Sequence, residues 1–186
     1  MRWTLPNILT WLRIVAIPLV VLLFYMPSTW ADPAAGLLFA AAAVTDSLDG
    51  YLARRMGLTS RLGAFLDPVA DKLIVAVTLV LLVSKNASLV VVLTAAVIIG
   101  REIAISALRE WMAELGQRTK VAVSSIGKYK TILQMVGLSM MLYRNPILGL
   151  PVYETGVALT VIAAALTLLS MIMYLKAAWP TLKAAE

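Results

Sequence analysis

The sequence predicts an all-α integral membrane protein with six transmembrane helices. Its 186 residues are 61% hydrophobic and only 14% charged. The apolar residues fall in long runs, and not in the narrow stripes that a soluble helix buries. Short turn-rich breaks separate these runs, so a chain of this composition is expected to cross the bilayer repeatedly.

Each apolar run is close to the ~20 residues that a helix needs to cross a bilayer. The six predicted spans lie at about 11–26, 35–53, 65–83, 88–108, 126–143 and 153–176. The segment "RWTLPN" ahead of the first span carries Arg2 and Trp3, which favour the headgroup region, and predicts a short N-terminal interfacial helix. Because the breaks are short, residues 1–186 are expected to form a single membrane domain.

Basic residues are distributed unevenly between alternate breaks. The breaks on one side hold Lys85 and Arg144, whereas those on the other hold Arg54, Arg55, Arg61, Arg118 and Lys120. The positive-inside rule therefore predicts that both ends of the chain lie in the cytoplasm. The net charge of +6 is interpreted as topology and contact with anionic lipid, and no nucleic-acid partner is expected.

The chain contains no cysteine and no histidine. Disulfides, thiolate nucleophiles, imidazole bases and zinc sites built from these residues are therefore excluded. Any metal ion would need oxygen ligands, which suit magnesium or manganese.

Four aspartates lie on either side of the second break, in an otherwise apolar region. Asp46 and Asp49 share one helical face, and Asp67 and Asp71 share a face of the next helix. Because neighbouring helices run antiparallel, the two acidic faces can meet, and a divalent cation would relieve the repulsion between them. The alternative is that these residues cap helices and pair with nearby basic side chains. Their placement on faces, beside glycine and alanine, favours a metal site.

The segment from Asp46 to Asp71 follows the pattern D-x2-D-G-x2-A-R-x8-G-x3-D-x3-D at all eight fixed positions. It resembles the CDP-alcohol phosphotransferase family. The resemblance implies a six-helix bundle, a homodimer, and an active site that opens to the cytoplasm from the bacterial inner membrane.

The resemblance also transfers roles to the matching residues of this sequence. Asp46, Asp49, Asp67 and Asp71 would hold one or two ions of Mg²⁺ or Mn²⁺, and Asp71 would also act as the general base. The CDP-diacylglycerol donor would contact the other matched positions and nearby polar residues, namely Gly50, Ala53, Arg54, Ser60, Gly63, Asn7 and Thr10. A second interpretation of "PNILTWLR" stays open, in which it is an interfacial cap and Arg13 extends to the headgroups.

The acceptor alcohol must be recognised outside this motif. Arg101 lies inside the fourth apolar run, Arg109 follows two turns later, and Lys128 and Lys130 begin the fifth run. Cations within a span are functional candidates, and this group would suit an acceptor that itself carries phosphate. Topology and lipid headgroup contacts are the alternative interpretation.

This stretch, with "NILTWLRIVAIPLVV" and "LDPVADKL", resembles the phosphatidylglycerophosphate synthase branch of the family. That resemblance implies transfer of a phosphatidyl group from CDP-diacylglycerol to sn-glycerol 3-phosphate, giving phosphatidylglycerol phosphate and CMP. Membrane lipid would surround the protein and supply the donor from the side.

Alternatives of three kinds stay open. The same chemistry could use inositol phosphate, phosphatidylglycerol or serine as the acceptor, which the motif does not distinguish. A cation or proton transporter would also place carboxylates in a membrane, but usually near its middle and within a repeat. A structural scaffold would give no reason for four aligned aspartates. Glycines outside the motif, such as Gly100 and Gly137, are predicted to be helix-packing positions.

Overall fold

Helices follow one another along the chain in the order that the apolar runs predict. The computed structural model describes the backbone of residues 5–56, 61–114 and 125–184, and the side chains of residues 10–46, 66–114, 129–176 and 179. The helices are α1 (Leu5–Tyr25), α2 (Ala31–Met56), α3 (Arg61–Lys85), α4 (Leu89–Glu114), α5 (Ser125–Tyr143) and α6 (Val152–Ala184). Within those ranges no strand forms beyond one isolated bridge, so the predicted six-helix, all-α fold is confirmed.

The helices are longer than the apolar runs that predicted them. α4 continues through "REWMAE" to Glu114, because these residues are mostly strong helix formers. α2 begins at Ala31, where Asp32 in the first turn favours the positive end of the helix dipole. Residues 5–7 form the first turn of α1, so the described part of "RWTLPN" is not a separate interfacial helix. Apolar runs therefore mark the stretch suited to hydrocarbon, whereas propensity and capping set the helix ends.

The surface of the helices has the character of a membrane protein. Among the described residues, two stretches are long and apolar enough to cross a bilayer by length and composition, namely Leu89–Glu114 and Val152–Lys176, and Thr10–Tyr25 is a shorter apolar stretch. Large aliphatic side chains such as Leu22, Leu89 and Ile132 are exposed on the outside of the bundle. Apolar surface of this extent is unfavourable in water and suits contact with lipid.

The two C-terminal helices pack with their backbones close together. A Cβ added at Gly156 would lie 2.7 Å from the carbonyl oxygen of Gly137, and one added at Gly137 would overlap the hydroxyl of Thr160. Small residues permit such close approach, so the prediction for Gly137 is confirmed. For Gly100 it is wrong within the described part of the chain, because an added Cβ there meets no atom within 4 Å.

One end of the bundle is joined by polar contacts between helices. This far end contains the connections 26–30, 86–88 and 144–151. Lys85 of α3 lies 3.0 Å from Asp32 of α2, and the Asn86 amide donates a 2.9 Å hydrogen bond to the Tyr153 hydroxyl of α6. These contacts fix the helices to one another at the far end, while the motif aspartates lie toward the opposite end.

Candidate active site

Three of the motif aspartates line one cavity of about 730 Å³, here called the polar cavity. Asp46 reaches it from α2, whereas Asp67 and Asp71 reach it from α3. The spacing of four residues places Asp67 and Asp71 one helical turn apart on the same face. Asp71 also lies within electrostatic range of both Asp46 and Asp67. The acidic faces of α2 and α3 are thus turned toward the same space.

The first helix supplies polar partners to these carboxylates. Arg13 is only 2% exposed, and its guanidinium lies 2.9 Å from Asp46 Oδ1 and 2.5 Å from Asp71 Oδ1. The hydroxyl of Thr10, on the same face of α1, donates a hydrogen bond to the carboxylate of Asp67. Arg13 therefore does not extend to the headgroups. A buried charge is stable only when it is paired, and the Arg13 guanidinium is paired with two carboxylates.

The donor chemistry of this acidic cluster fits a hard divalent cation. Carboxylate oxygens from two helices line one cavity, and such oxygens are the ligands that Mg²⁺ and Mn²⁺ prefer. In the described residues no three of these groups converge as closely as ligands of a single ion would. Asp46 and Asp71 instead pair with Arg13, and the Asp49 side chain lies outside the described residues.

The two predicted arginines of α4 are held by α6. Arg101 is 7% exposed and donates a 3.0 Å hydrogen bond from Nη2 to the Ser170 hydroxyl, while its Nη1 lies 3.3 Å from Glu102. The ring of Tyr174 lies 5.8 Å from the Arg101 Cζ and 5.5 Å from the Arg109 Cζ, within cation–π range of both. One aromatic side chain of α6 therefore contacts both guanidinium groups.

Lys130 of α5 is a buried cation that faces the polar cavity. Its side chain is 8% exposed and lines the cavity. Its ammonium group forms no hydrogen bond or ion pair across the described ranges of the chain. It lies within electrostatic range of Arg101, Glu102 and Arg109. A buried ammonium without a protein partner is costly, and a bound anion would satisfy it.

The rest of the cavity wall is mostly apolar and reaches the outer surface of the bundle. Val75 of α3 and Ile98 of α4 line it, as does Ile103, which is nevertheless 66% exposed. Lys72 of α3 donates a 2.5 Å hydrogen bond to the Ser106 hydroxyl of α4 across the same space. The cavity is therefore polar where the charged groups meet and continuous with the apolar exterior on another side.

Comparison with known proteins identifies the scaffold that carries this cavity. The family model described as CDP-alcohol phosphatidyltransferase matches residues 3–172. The chain belongs to the CDP-alcohol phosphatidyltransferase family. This is the family that the aspartate motif predicted.

Curated relatives carry the same name in several bacteria. The CDP-diacylglycerol–glycerol-3-phosphate 3-phosphatidyltransferase of Escherichia coli (strain K12) is 54% identical over 178 residues, which cover 96% of each chain. Proteins of the same name from Shigella flexneri serotype 5b (strain 8401) and Shigella sonnei (strain Ss046) give the same identity and coverage. The likeness therefore extends over nearly the whole chain.

Several predicted site residues of this CDP-alcohol phosphatidyltransferase lie outside the described residues. Ser60 is outside entirely, and nothing is described of the side chains or surroundings of Asn7, Asp49, Gly50, Ala53, Arg54, Gly63 and Lys128. Those that are described fall into two groups. In the first group Asp46 and Asp71 pair with Arg13, and Thr10 donates a hydrogen bond to Asp67. In the second, Lys130 lies near Arg101 and Arg109.

Sequence reasoning did not assign three residues that contact these two groups. They are Arg13, which pairs with the aspartates, and Ser170 and Tyr174, which contact the α4 arginines. A signal was present in each case, because each residue is polar within an apolar run, and such residues tend to face other protein groups. Thr10 and Arg13 are three residues apart, and Ser170 and Tyr174 are four apart, so each pair shares a helical face.

Proposed function

We propose that the protein transfers the phosphatidyl group of CDP-diacylglycerol to sn-glycerol 3-phosphate, giving phosphatidylglycerol phosphate and CMP. The family and the names of the full-length relatives support this reaction. The observation that carries the proposal is that Asp46, Asp67, Asp71 and Lys130, which has no partner among the described residues, line the same cavity. Carboxylates suited to a metal-bound diphosphate and a cation suited to a phosphorylated acceptor therefore share one space.

The acidic cluster would serve the donor half of the reaction. Asp46, Asp49, Asp67 and Asp71 would hold one or two Mg²⁺ or Mn²⁺ ions, which when bound would neutralise the diphosphate and the leaving phosphate. We assign the remaining donor contacts, through the resemblance, to Gly50, Ala53, Arg54, Ser60, Gly63, Asn7 and Thr10. The cavity's continuity with the apolar exterior beside Ile103 supports entry of the acyl chains from the bilayer.

The chemistry is a single displacement at phosphorus. The primary hydroxyl oxygen of the acceptor forms a bond to the phosphorus that carries the diacylglycerol, and the bond from that phosphorus to the bridging oxygen of the diphosphate breaks. CMP leaves with that oxygen, and the carboxylate of Asp71 accepts the hydroxyl proton. Because both reactants are bound in one cavity, positioning and charge stabilisation supply most of the rate enhancement.

The basic group would bind the acceptor's phosphate. Arg101, Arg109, Lys128 and Lys130 are the proposed contacts. Lys130 and Arg101 are both buried, and the exposed Arg109 lies within electrostatic range of Lys130. This supports the assignment, because neighbouring buried cations are unfavourable without an anion. An acceptor without net negative charge, such as serine, would leave that charge unbalanced.

We also propose six membrane spans in one domain over residues 1–186, with both ends and the active site at the cytoplasmic side of the bacterial inner membrane. The basic residues of the breaks and the apolar stretches of α4 and α6 support this arrangement. A homodimer is proposed from the family resemblance.

The test is CMP release from CDP-diacylglycerol in detergent micelles with glycerol 3-phosphate and either Mg²⁺ or Mn²⁺. Asp71→Asn should abolish release, whereas Asp32→Asn serves as the matched control, because Asp32 lies on the far end of the bundle. Inositol phosphate, phosphatidylglycerol and serine are offered as competing acceptors. Faster CMP release with any of these would reject glycerol 3-phosphate as the acceptor. Metal-dependent ion flux in liposomes without CMP release would instead support a transporter.

A further inference from the structure

A second polar side chain of α5 faces the polar cavity without a protein partner. Gln134 is 9% exposed and lines the cavity. Over the residues that the structure describes, its amide forms no hydrogen bond to the protein. A primary amide offers two N–H donors and an oxygen acceptor, and leaving these unmet in a largely buried position is costly. Such a group is expected to bind something that enters the cavity.

The position of Gln134 relates it to the acceptor's phosphate. It follows Lys130 by one turn on the same face of α5, which corresponds to about 6 Å along the helix axis. Asp71, the proposed proton acceptor, lines the same cavity from α3. A three-carbon phosphorylated alcohol with its phosphate at Lys130 and its primary hydroxyl at Asp71 would therefore pass close to Gln134.

Several other polar groups of the wall are already paired with the protein. Ser106 accepts a hydrogen bond from Lys72 and donates one to the Glu102 carbonyl, and the Glu102 carboxylate pairs with Arg101. Gln134 is neutral and can both donate and accept, which is what a hydroxyl group requires. A charged side chain in its place would instead disturb the balance between Lys130 and the phosphate.

We infer that the Gln134 amide binds the secondary hydroxyl of the acceptor and determines specificity for glycerol 3-phosphate over phosphorylated alcohols that lack this group. This inference rests on the proposed function. Gln134 contributes no charge to the reaction and exchanges no proton; it selects the alcohol whose remaining hydroxyl completes its hydrogen bonds. A site built to bind a hydroxyl rejects an analogue without one, because its own polar groups are then left unpaired.

The experiment compares two acceptors in the CMP-release assay. One is sn-glycerol 3-phosphate, and the other is 3-hydroxypropyl phosphate, which keeps the phosphate and the primary hydroxyl but lacks the secondary one. The parent should prefer glycerol 3-phosphate by about tenfold or more in kcat/KM, the contribution expected of one desolvated hydrogen bond. Gln134→Met, which matches glutamine in length, should lose about tenfold with glycerol 3-phosphate and change less than about twofold with the analogue.

A second variant and a control separate this role from a structural one. Gln134→Asn keeps an uncharged amide and should keep part of the preference for glycerol 3-phosphate, which can be measured even if Gln134→Met does not fold. Ser139→Ala should behave as the parent, since the Ser139 hydroxyl donates to the Met135 carbonyl of its own helix and contacts no other polar group in the described residues. Equal losses with both acceptors, a raised KM for CDP-diacylglycerol, or no preference in the parent would overturn the inference. A parent that releases no CMP with glycerol 3-phosphate would reject the proposed function as well.

Discussion

The guanidinium of Arg13 lies 2.5 Å from the carboxylate of Asp71, although the two residues are 58 positions apart in the chain. Arg13 also pairs with Asp46, so one buried cation of α1 joins the acidic residues of α2 and α3. A guanidinium is suited to this because its planar fork can donate to two carboxylates at once. The arrangement holds three helices together at the point where the proposed chemistry takes place.

Arg13→Gln should reduce CMP release strongly, because it leaves Asp46 and Asp71 close together without their counter-charge. We expect a loss of about tenfold or more in kcat/KM, together with a lower thermal-unfolding temperature in detergent. Arg13→Lys should be intermediate, since an ammonium cannot reproduce the fork. Lys85→Gln removes an exposed pair at the far end and is the control. Activity of Arg13→Gln within about twofold of the parent would contradict a positioning role.

Tyr174→Leu should raise the KM for glycerol 3-phosphate, because it removes the ring that contacts both Arg101 and Arg109. At the lower end of the range for exposed contacts, about 0.5–1 kcal/mol each, two cation–π contacts correspond to a rise of roughly fivefold to thirtyfold. Tyr174→Phe keeps the ring and loses only a long hydrogen bond of 3.5 Å from Arg109, so its KM should stay close to that of the parent. Steady-state kinetics with each substrate varied in turn will measure this. An equal rise in the KM for CDP-diacylglycerol would indicate general loss of structure.

Lys130→Met should increase thermal stability but weaken the binding of glycerol 3-phosphate. Replacing an unpartnered buried ammonium by an apolar side chain removes a desolvation cost, so the thermal-unfolding temperature should rise. The KM for glycerol 3-phosphate should increase by about tenfold or more, since a charge-assisted contact to phosphate is lost. Lys176→Met, at an exposed position of α6, should change neither quantity. A lower unfolding temperature with an unchanged KM would show that Lys130 is structural.

Gly156→Ala should destabilise the bundle, because the added Cβ would lie 2.7 Å from the Gly137 carbonyl oxygen and 2.9 Å from the Met140 side chain. Backbone atoms at that distance cannot move without separating α5 from α6. Gly100→Ala is the matched control, since its Cβ meets nothing and alanine is favoured over glycine in a helix by about 1 kcal/mol. Thermal unfolding in detergent should therefore show opposite signs for the two variants. The same sign for both would exclude close α5–α6 packing as the cause.

The proposed topology can be tested by labelling single cysteines, since the parent has none. Ser28→Cys and Asn145→Cys, in two connections at the far end, should react with a membrane-impermeant maleimide in intact cells. Gln117→Cys, in a connection predicted to be cytoplasmic, should react only after permeabilisation. Labelling of all three in intact cells would reject the six-span arrangement.

The sequence predicts the helices well because bilayer thickness and hydropathy determine where apolar runs begin and end. It also places Asp67 and Asp71 on one face, because helical periodicity alone decides that relation. The contacts between helices cannot be predicted in this way. The pairing of Arg13 with Asp46 and Asp71 depends on how far each helix is rotated and how deep it lies, and neither quantity can be read from spacing.

The basic group that would bind the acceptor shows the same difference between what the sequence predicts and what only the structure provides. Arg101, as a cation within an apolar run, is recognisable as a candidate from the sequence. Its contacts with Ser170 and Tyr174 come from α6, about 70 residues later, and nothing in the sequence states that α4 packs against α6. At Gly100 the sequence predicted a helix contact that the described structure does not contain, because the sequence does not tell which side of a helix a glycine faces.

The exposure of Ile103, a residue that also lines the polar cavity, bears on how the lipid substrate should be measured. A lipid drawn into water would lose about 0.8 kcal/mol for each CH₂ group of its chains. A substrate that slides sideways past Ile103 keeps its chains in hydrocarbon throughout and avoids that loss. Its binding then depends on the surface concentration of CDP-diacylglycerol in the membrane. The relevant KM is therefore a mole fraction in the surface, and diluting the substrate with inert lipid should slow the enzyme even at constant bulk concentration.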